Sequence, residues 1–366
     1  MESITLHNNI NTNSSSENFL IFEFFSGIGG MHEALKQIES LKIFKIFPFD
    51  INQNANLTYF LNFKTNPNAI SIESFSLNDY ENIMTNNINN NIKIVWTMSP
   101  PCQPFTRQGN MEGLNDNRST AFIHLMKNIF EKTKNDYLPD YIIVENVKNF
   151  EISEANRMLT DCLLKKNYYF LQFLLSPIQF NIPNSRLRFY LIAMKNKKFE
   201  ITNNDYINNI NKIIKEPDII FNNINIQKKD IKTFLNIDIE NDYIKNQKYY
   251  LSKEILSKKN CLSMDIALLN NFSTNCFTKN YSRLFKGTGS ILLLNDKLYK
   301  ENLNPIDLYG YLRFFTPQEI LKFLFFNDNF VFPENFTEKM KYKLLGNSVN
   351  VKVVKILLKY LFNIKE

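Results

Sequence analysis

The first half of the chain alternates short apolar runs with segments whose apolar residues recur at helical spacing. The runs are rich in Phe, Ile and Val and predict buried strands. They lie at 19–25, 43–50, 92–98 and 141–146. Helices are predicted at 31–38 and near 118–132, and the runs at 168–177 and 188–195 have the pattern of an antiparallel pair. This alternation predicts an α/β fold whose sheet is mainly parallel and doubly wound.

The pattern changes after residue 195. Residues 196–262 are low in complexity and rich in Asn, Lys and Ile, which indicates the start of a smaller and less regular second domain. At the other end, 342–362 has the apolar spacing of an amphipathic helix, which we expect to return to the first domain. The predicted organisation is a disordered tail over 1–18, a first domain over 19–195 plus 335–366, and a second domain over 196–334.

Composition limits the class of protein. No run approaches the roughly 18 uninterrupted apolar residues of a membrane span, and the start lacks the layout of a signal peptide. The four cysteines form no C-x-x-C pair and there are three histidines, so we expect reduced thiols, no metal site, and a cytoplasmic or also nuclear protein. A net charge of +7 permits a polyanionic partner without proving one. The sequence does not determine the oligomeric state, and a monomer is our expectation.

A cysteine lies at the end of the predicted strand 92–98. The stretch "SPPCQ" places Cys102 behind two prolines, which cannot continue a strand. Cys102 is therefore expected on a stiff loop at the carboxyl edge of the sheet, where ligands bind in open α/β folds. From this stretch alone, a half-buried structural thiol is an equal alternative.

A glycine turn follows the first strand, and an acid ends the second. Only nine glycines occur in the chain, and three of them lie in "SGIGG". With Asp50, which is suited to a ribose diol, this is the layout of a nucleoside site. The spacing is not G-x-G-x-x-G, since His32 stands where the third glycine would be. It favours a smaller nucleoside cofactor such as S-adenosylmethionine over a dinucleotide, although a purely structural turn is equally compatible.

Further charged residues fall near the same edge. Glu145 closes the strand 141–146, although a solvated acid at a strand end is the default for a single glutamate. Arg186 and Arg188 are two residues apart and so lie on one side of an extended segment. Two guanidinium groups on one face suit the recognition of a carboxylate or carbonyl, and surface arginines without a special role are the alternative.

Six motifs occur in the order of one family. They are "FFSGIGG", "SPPCQPF", "ENV", "NSRLRFYLIA", "RFFTPQEI" and "LLGNSVN". The chain thereby resembles the cytosine-5 methyltransferases over 19–194 and 276–362. The resemblance implies a Rossmann-like, S-adenosylmethionine-dependent methyltransferase sheet with a smaller target-recognition domain, and S-adenosyl-L-methionine as cofactor.

The resemblance also implies a mechanism. Cys102 would add as a thiolate to cytosine C6, so that C5 can attack the methyl group. Glu145 would lie near N3 and the exocyclic amine, Arg188 near O2, and Arg186 would support the loop. The base that removes the C5 proton is not identified. Since a stacked base is out of reach, the target must be flipped out or lie in a loop.

Ten residues are implied around the cofactor. Ile28, Gly29 and Gly30 would pass its methionine end, and Asp50 would hold its ribose. Ile51, Ile72 and Glu73 would lie beside its adenine. Ser99, Asn347 and Ser348 would close the pocket. Ile72 and Glu73 fall where the family's third strand ends. A plain core role is the alternative for Ile51 and Ile72.

Within the family, "PPCQPFTRQG" and "CFTKNYSRLFKGTGS" resemble the RNA methyltransferases that modify a cytosine in the anticodon loop of tRNA-Asp. This subgroup implies tRNA as partner, and we expect RNA contacts from Lys279, Arg283 and Lys286. Asn280 replaces the subgroup's usual glycine. Cys276 is expected either near the active site or as a small buried residue. A DNA cytosine-5 methyltransferase and an RNA-binding protein without turnover stay open as alternatives.

Overall fold

The computed structural model describes residues 17–89, 91–101, 120–201, 203–219, 227–300 and 303–364. The predicted tail lies outside these residues except for its last two, of which Asn18 begins the first strand. Cys102 also lies outside them.

A six-stranded sheet forms the centre of the fold. Its strands are β1 (Asn18–Phe24), β2 (Lys42–Phe49), β3 (Ile92–Met98), β4 (Tyr141–Val147), β5 (Tyr168–Leu175) and β6 (Arg188–Lys195). The strand order is β2-β1-β3-β4-β6-β5. The pairs among β2, β1, β3 and β4 are parallel, and those of β6 with β4 and β5 are antiparallel. The predicted α/β class, the mainly parallel start and the antiparallel pair are confirmed.

Helices connect the strands of this sheet. They are α1 (Gly30–Lys36), α2 (Gln53–Phe63), α3 (Leu77–Asn87), α4 (Thr120–His124) and α5 (Glu154–Lys165). The helix predicted near 118–132 changes its winding, because α4 continues into a π-helical turn at Leu125–Phe130. Side-chain oxygens of Asn52 and Ser153 cap α2 and α5 by accepting backbone hydrogen bonds. Short polar residues thus begin the helices that follow the strand ends.

A smaller sheet and short helices make up much of the rest. Its strands are β7 (Asp265–Leu268), β8 (Ser290–Leu293) and β9 (Leu312–Phe314), preceded by α6 (Ile231–Leu235), α7 (Asp242–Asn246) and α8 (Lys253–Leu256). The central sheet is buried on both faces, since Ile21 and Phe22 of β1 belong to different hydrophobic clusters. Leu292 of β8 shares the cluster of Ile21. One core therefore continues between the sheets, and the domain boundaries stay a prediction.

The C-terminal segment differs from the prediction of one helix over 342–362. After α9 (Pro317–Leu324), the chain forms α10 (Glu338–Gly346) and α11 (Val351–Leu361). Three of the four residues between α10 and α11 are polar, and the Asn350 side chain caps α11 by accepting from the Val353 N–H at 3.1 Å. The apolar face of α11 packs on α1 and β6, so the expected return to the first domain is confirmed.

None of the described helices is long and apolar enough to cross a membrane.

Candidate active site

A cavity of about 710 Å³ opens at the carboxyl ends of β1, β3 and β4. β1 pairs with β2 on one side and β3 on the other, so the chain connections leave this point in opposite directions. In open α/β sheets this switch point is where ligands bind. The fold therefore places the cavity where the sequence motifs meet.

Nine of the ten predicted cofactor residues line this cavity: Ile28, Gly30, Asp50, Ile51, Ile72, Glu73, Ser99, Asn347 and Ser348. Gly29 does not. Its φ of +87° is left-handed, and a Cβ there would lie 2.3 Å from Phe63 Cε2 and 2.9 Å from a ring carbon of Tyr59. Gly29 therefore packs on the ring of Phe63 and lets the turn form.

Asp50 ties the glycine turn to the start of α2. Its Oδ2 accepts from the Gly27 N–H, and its Oδ1 from the Asn52 N–H, both at 2.8 Å. Burial raises the pKa of Asp50 above its ordinary value, and these two N–H donors partly oppose the rise. Each carboxylate oxygen keeps a further lone pair for a ligand hydroxyl.

The expectations for the two isoleucines have different outcomes. Ile51 is 68% exposed, so the alternative of a core role is wrong for it. Ile72 is 4% exposed and belongs to the core, although it also lines the cavity. Ile72 and Glu73 lie in a short 3₁₀ turn, Ile72–Ser74, and not at the end of a strand as expected. The Thr120 hydroxyl donates to Glu73 Oε1 at 2.6 Å and joins this turn to α4.

The other end of the cavity carries the predicted acid and the arginines. Glu145 is buried near the end of β4, and its Oε1 lies 3.5 Å from Arg188 Nε. Burial raises the pKa of Glu145, while the guanidinium groups of Arg188 and Arg186 act in the opposite direction. The buried carboxyl group is therefore shifted toward its protonated form.

Arg186 connects three segments of the chain. Its guanidinium donates to the carbonyl oxygens of Phe277 and Gly346, each at 3.2 Å, and to that of Ser348. It also contacts Cys276 Sγ at 3.3 Å, and Arg188 lies 3.7 Å from the same sulfur. Cys276 therefore lies beside the predicted catalytic residues. Burial opposes ionisation of this thiol, but the two guanidinium groups outweigh it and hold its pKa below the ordinary value.

Asn146 was missed by the sequence reasoning, although it lies inside the motif "ENV". Its Nδ2 donates to the Pro100 carbonyl at 3.2 Å, and its Oδ1 accepts from the Val147 N–H at 2.8 Å. It thereby joins the end of β4 to the loop that leads to Cys102. Pro100 and Pro101 both line the cavity. Pro101, the described residue that directly precedes Cys102 in the chain, is therefore at the site.

Phe25 and Ser26 were also missed. Phe25 has φ of +58°, which is rare for an aromatic residue, and both residues line the cavity. The buried hydroxyls of Ser26 and Ser99 have no hydrogen-bond partner in the described part of the chain. Orphaned hydroxyls that line a cavity are available to a polar ligand.

A buried polar network lies behind the glycine turn. Glu23 Oε2 accepts from the Tyr59 hydroxyl at 2.7 Å, and that hydroxyl lies 2.6 Å from His32 Nδ1. Burial raises the pKa of Glu23 to about 8 and lowers that of His32 to about 4. No sequence pattern identified this network, because Tyr59 comes from α2, far along the chain from the turn.

Two of the three predicted RNA contacts lie in one cavity, and the third lies apart from them. Arg283 and Lys286 are exposed and line a second cavity of about 540 Å³. Lys279 lines neither cavity; its backbone packs on Gly346, where a Cβ would lie 2.1 Å from the Lys279 nitrogen. Gly346 is therefore required by the close approach of this loop.

Within the described ranges, no cluster of His, Cys, Asp and Glu could hold a metal ion.

A cavity at the carboxyl edge of a mainly parallel sheet is where α/β enzymes bind nucleoside cofactors. The model of the family described as C-5 cytosine-specific DNA methylase matches residues 19–363. The chain belongs to this C-5 cytosine methyltransferase family, as its motifs predicted.

Relatives with known names match the chain over nearly its whole length. A protein of Dictyostelium discoideum named DNA (cytosine-5)-methyltransferase is 35% identical, covering 96% of each chain. A protein of Schizosaccharomyces pombe named tRNA (cytosine(38)-C(5))-methyltransferase is also 35% identical, covering 95% of this chain and 98% of its own. The solved structure of the Entamoeba histolytica methyltransferase EhMeth is 31% identical with a TM-score of 0.79, covering 96% of this chain and 100% of that one.

Proposed function

We propose that this protein methylates C5 of a cytosine in tRNA, at position 38 in the anticodon loop of tRNA-Asp, with S-adenosylmethionine as donor and a covalent Cys102–C6 adduct. The position is the one in the name of the fission yeast relative. The observation that carries the proposal is the single cavity that Asp50, Pro101, Glu145 and Arg188 line together. A cofactor end and a base end thus share one space.

The residues present fit this cofactor. The free lone pairs of Asp50 suit a ribose diol, and the orphaned hydroxyls of Ser26 and Ser99 suit a polar ligand. Exposed Ile51, which follows Asp50, offers an apolar contact for a purine. When bound, S-adenosylmethionine supplies an electrophilic methyl group.

The base end fits the activation of cytosine. The Cys102 thiolate would add to C6 and move electrons toward C5, which would take the methyl group while the S–CH3 bond of the donor breaks and the donor leaves as a neutral thioether. Glu145, a buried carboxyl group whose pKa is raised by burial, donates a hydrogen bond or a proton to N3 as negative charge develops on the ring. Arg188, oriented beside Glu145, donates to O2. Loss of the C5 proton to a base then expels the thiolate and restores the aromatic ring.

Two points favour RNA over DNA. The first is that the fission yeast relative is named for tRNA. The second is that bases of an anticodon loop are already exposed, so extruding one costs less than opening a base pair. The Dictyostelium relative, which is named for DNA, supports a DNA cytosine-5 methyltransferase as the second candidate.

A substrate comparison tests this proposal. With folded tRNA-Asp and duplex DNA at equal concentration and a radiolabelled methyl donor, we expect faster methylation of the tRNA. Charge reversal at Lys279, Arg283 and Lys286 should weaken tRNA binding and reduce its salt dependence without changing cofactor affinity.

Reversal of the exposed Lys132, Lys197 and Lys198 is the matched control, since it removes equal charge from another part of the surface. A clear preference for duplex DNA, or equal effects of the two triple variants on tRNA affinity, would favour the second candidate.

The ribose contact is tested by Asp50→Ala. A charge-assisted hydrogen bond contributes about 1.5–3 kcal/mol, so affinity for S-adenosylmethionine in calorimetry should fall about ten- to a hundredfold. Asp205→Ala removes an exposed carboxylate elsewhere and should leave the affinity unchanged. Thermal unfolding of both variants separates a lost ligand contact from loosening of the Gly27 turn. Unchanged affinity in Asp50→Ala would place the ribose elsewhere.

A further inference from the structure

The second cavity has its own lining and shares no residue with the first. Two chain segments form most of it, 255–263 after the start of α8 and 282–286 between β7 and β8. Phe314 of β9 completes it. Because the segments are held by separate elements, their side chains meet only in the folded protein.

The polar lining of this cavity is cationic. Lys258, Arg283 and Lys286 are exposed, and their side chains make no hydrogen bond or ion pair with any described residue. No acidic side chain is among the described residues that line the cavity. Three cations without a counter-charge create a local field that attracts an anion such as a phosphate.

The cavity also has an aromatic part. The rings of Phe285 and Phe314 lie 6.0 Å apart, with 19° between their planes, and both line the cavity. Asn260 and Ser263 add hydrogen-bonding groups. Cations beside aromatic rings are the combination that binds single-stranded nucleic acid, since phosphates pair with the cations and bases stack on the rings. A bare anion would leave the aromatic surface without a partner.

One chain segment joins this cavity to the first one. Cys276 contacts the two arginines of the active site, and Ser282 lines the second cavity six residues later. Between them, the backbone of Lys279 packs on Gly346, which lines the first cavity. Six residues span at most about 22 Å, so Cys276 and Ser282 lie within the length of a few nucleotides of one strand.

We propose that the second cavity binds an unpaired nucleotide of the same RNA strand that supplies the target cytosine. Its base stacks on Phe285 and its phosphates pair with Lys258, Arg283 and Lys286. This inference rests on the proposed RNA substrate and deepens it, because it names a second point of contact. A rigid duplex has no unpaired nucleotide to offer there, so the cavity discriminates in favour of a loop.

The charge part of this proposal is tested with two neighbouring lysines. Lys258 lines the cavity, whereas Lys259, which is also exposed, does not. Binding of a fluorescent anticodon stem-loop of tRNA-Asp is measured by anisotropy over a range of salt concentrations. Lys258→Ala should weaken binding several-fold and reduce the salt slope by about one, since one phosphate contact is lost. Lys259→Ala should change neither.

The stacking part is tested with Phe285→Leu, which keeps an apolar side chain for packing but removes the aromatic face. Affinity for the stem-loop should fall about five- to a hundredfold, as expected for one lost base stack. Phe272→Leu is the matched control, because Phe272 is 53% exposed and lines neither cavity.

The outcomes separate this inference from the proposed function. Wild-type affinity in both Lys258→Ala and Phe285→Leu, in a protein that methylates tRNA-Asp, overturns the second contact and leaves the function standing. Equal losses in Lys258→Ala and Lys259→Ala also overturn it, since they indicate a diffuse charge effect. If the wild-type protein binds no stem-loop and methylates only DNA, both the function and this inference are wrong.

Discussion

Cys102→Ala is expected to abolish methyl transfer while affinity for S-adenosylmethionine stays within a few fold. The proposed route needs a covalent bond to C6, because C5 of an unmodified cytosine is too weak a nucleophile to take the methyl group. Pro100 and Pro101, the two described residues that precede Cys102 in the chain, line the cavity. Methyl transfer is measured with labelled donor and tRNA-Asp, and cofactor affinity by calorimetry.

The control for this variant is Cys162→Ala. Cys162 is a buried thiol of α5 that contacts Glu131 and does not line the cavity, so its variant should retain turnover. RNA with 5-fluorocytosine at the target adds a direct readout. Fluorine replaces the C5 proton and cannot be removed by a base, so the wild-type adduct should persist on a denaturing gel and be absent for Cys102→Ala. Wild-type turnover by Cys102→Ala would show that the covalent route is wrong.

The parts of the fold that sequence predicted well are governed by local burial. The strand predicted over 92–98 is observed as Ile92–Met98, since a continuous run of large apolar residues is stable only between two covered faces. The motifs converge for the same reason, because carboxyl ends of neighbouring parallel strands meet at one edge. This brings Asp50 and Glu145 to one cavity, while their chemical roles stay predictions.

Other features depended on contacts between distant segments. The C-terminal apolar spacing runs through Asn347 and Ser348, yet the helix breaks there, and the carbonyls of Gly346 and Ser348 accept from Arg186. Gly29 does not line the cavity, and it packs instead on the ring of Phe63 in α2. A motif gives the identity of such residues but not the partner that positions them. The second cavity was missed for the same reason, since four of its ten lining residues come from 255–263, a segment that no motif marks.

Arg313 is a further case, because its partner Asp242 lies in a part of the chain without a motif. Arg313 is fully buried, and all five of its N–H donors are used. They go to both carboxylate oxygens of Asp242 at 2.8 and 2.9 Å, to both of Glu319 at 2.7 and 2.8 Å, and to the Phe314 carbonyl at 3.0 Å. This arrangement joins α7, β9 and α9.

Arg313→Ala is expected to lower the free energy of unfolding by about 3–5 kcal/mol, because it leaves the buried carboxylate of Asp242 and the partly buried one of Glu319 without their shared cation. Lys245→Ala is the matched control: its ion pair with Asp238, at 2.8 Å, is exposed and screened by solvent, so its removal should change the free energy of unfolding far less. Urea unfolding followed by circular dichroism compares the two variants. Adding Asp242→Asn and Glu319→Gln to Arg313→Ala should recover part of the loss, since the unpaired charges are gone. Equal, small losses in the two single variants would show that the buried cluster contributes no more than a surface pair.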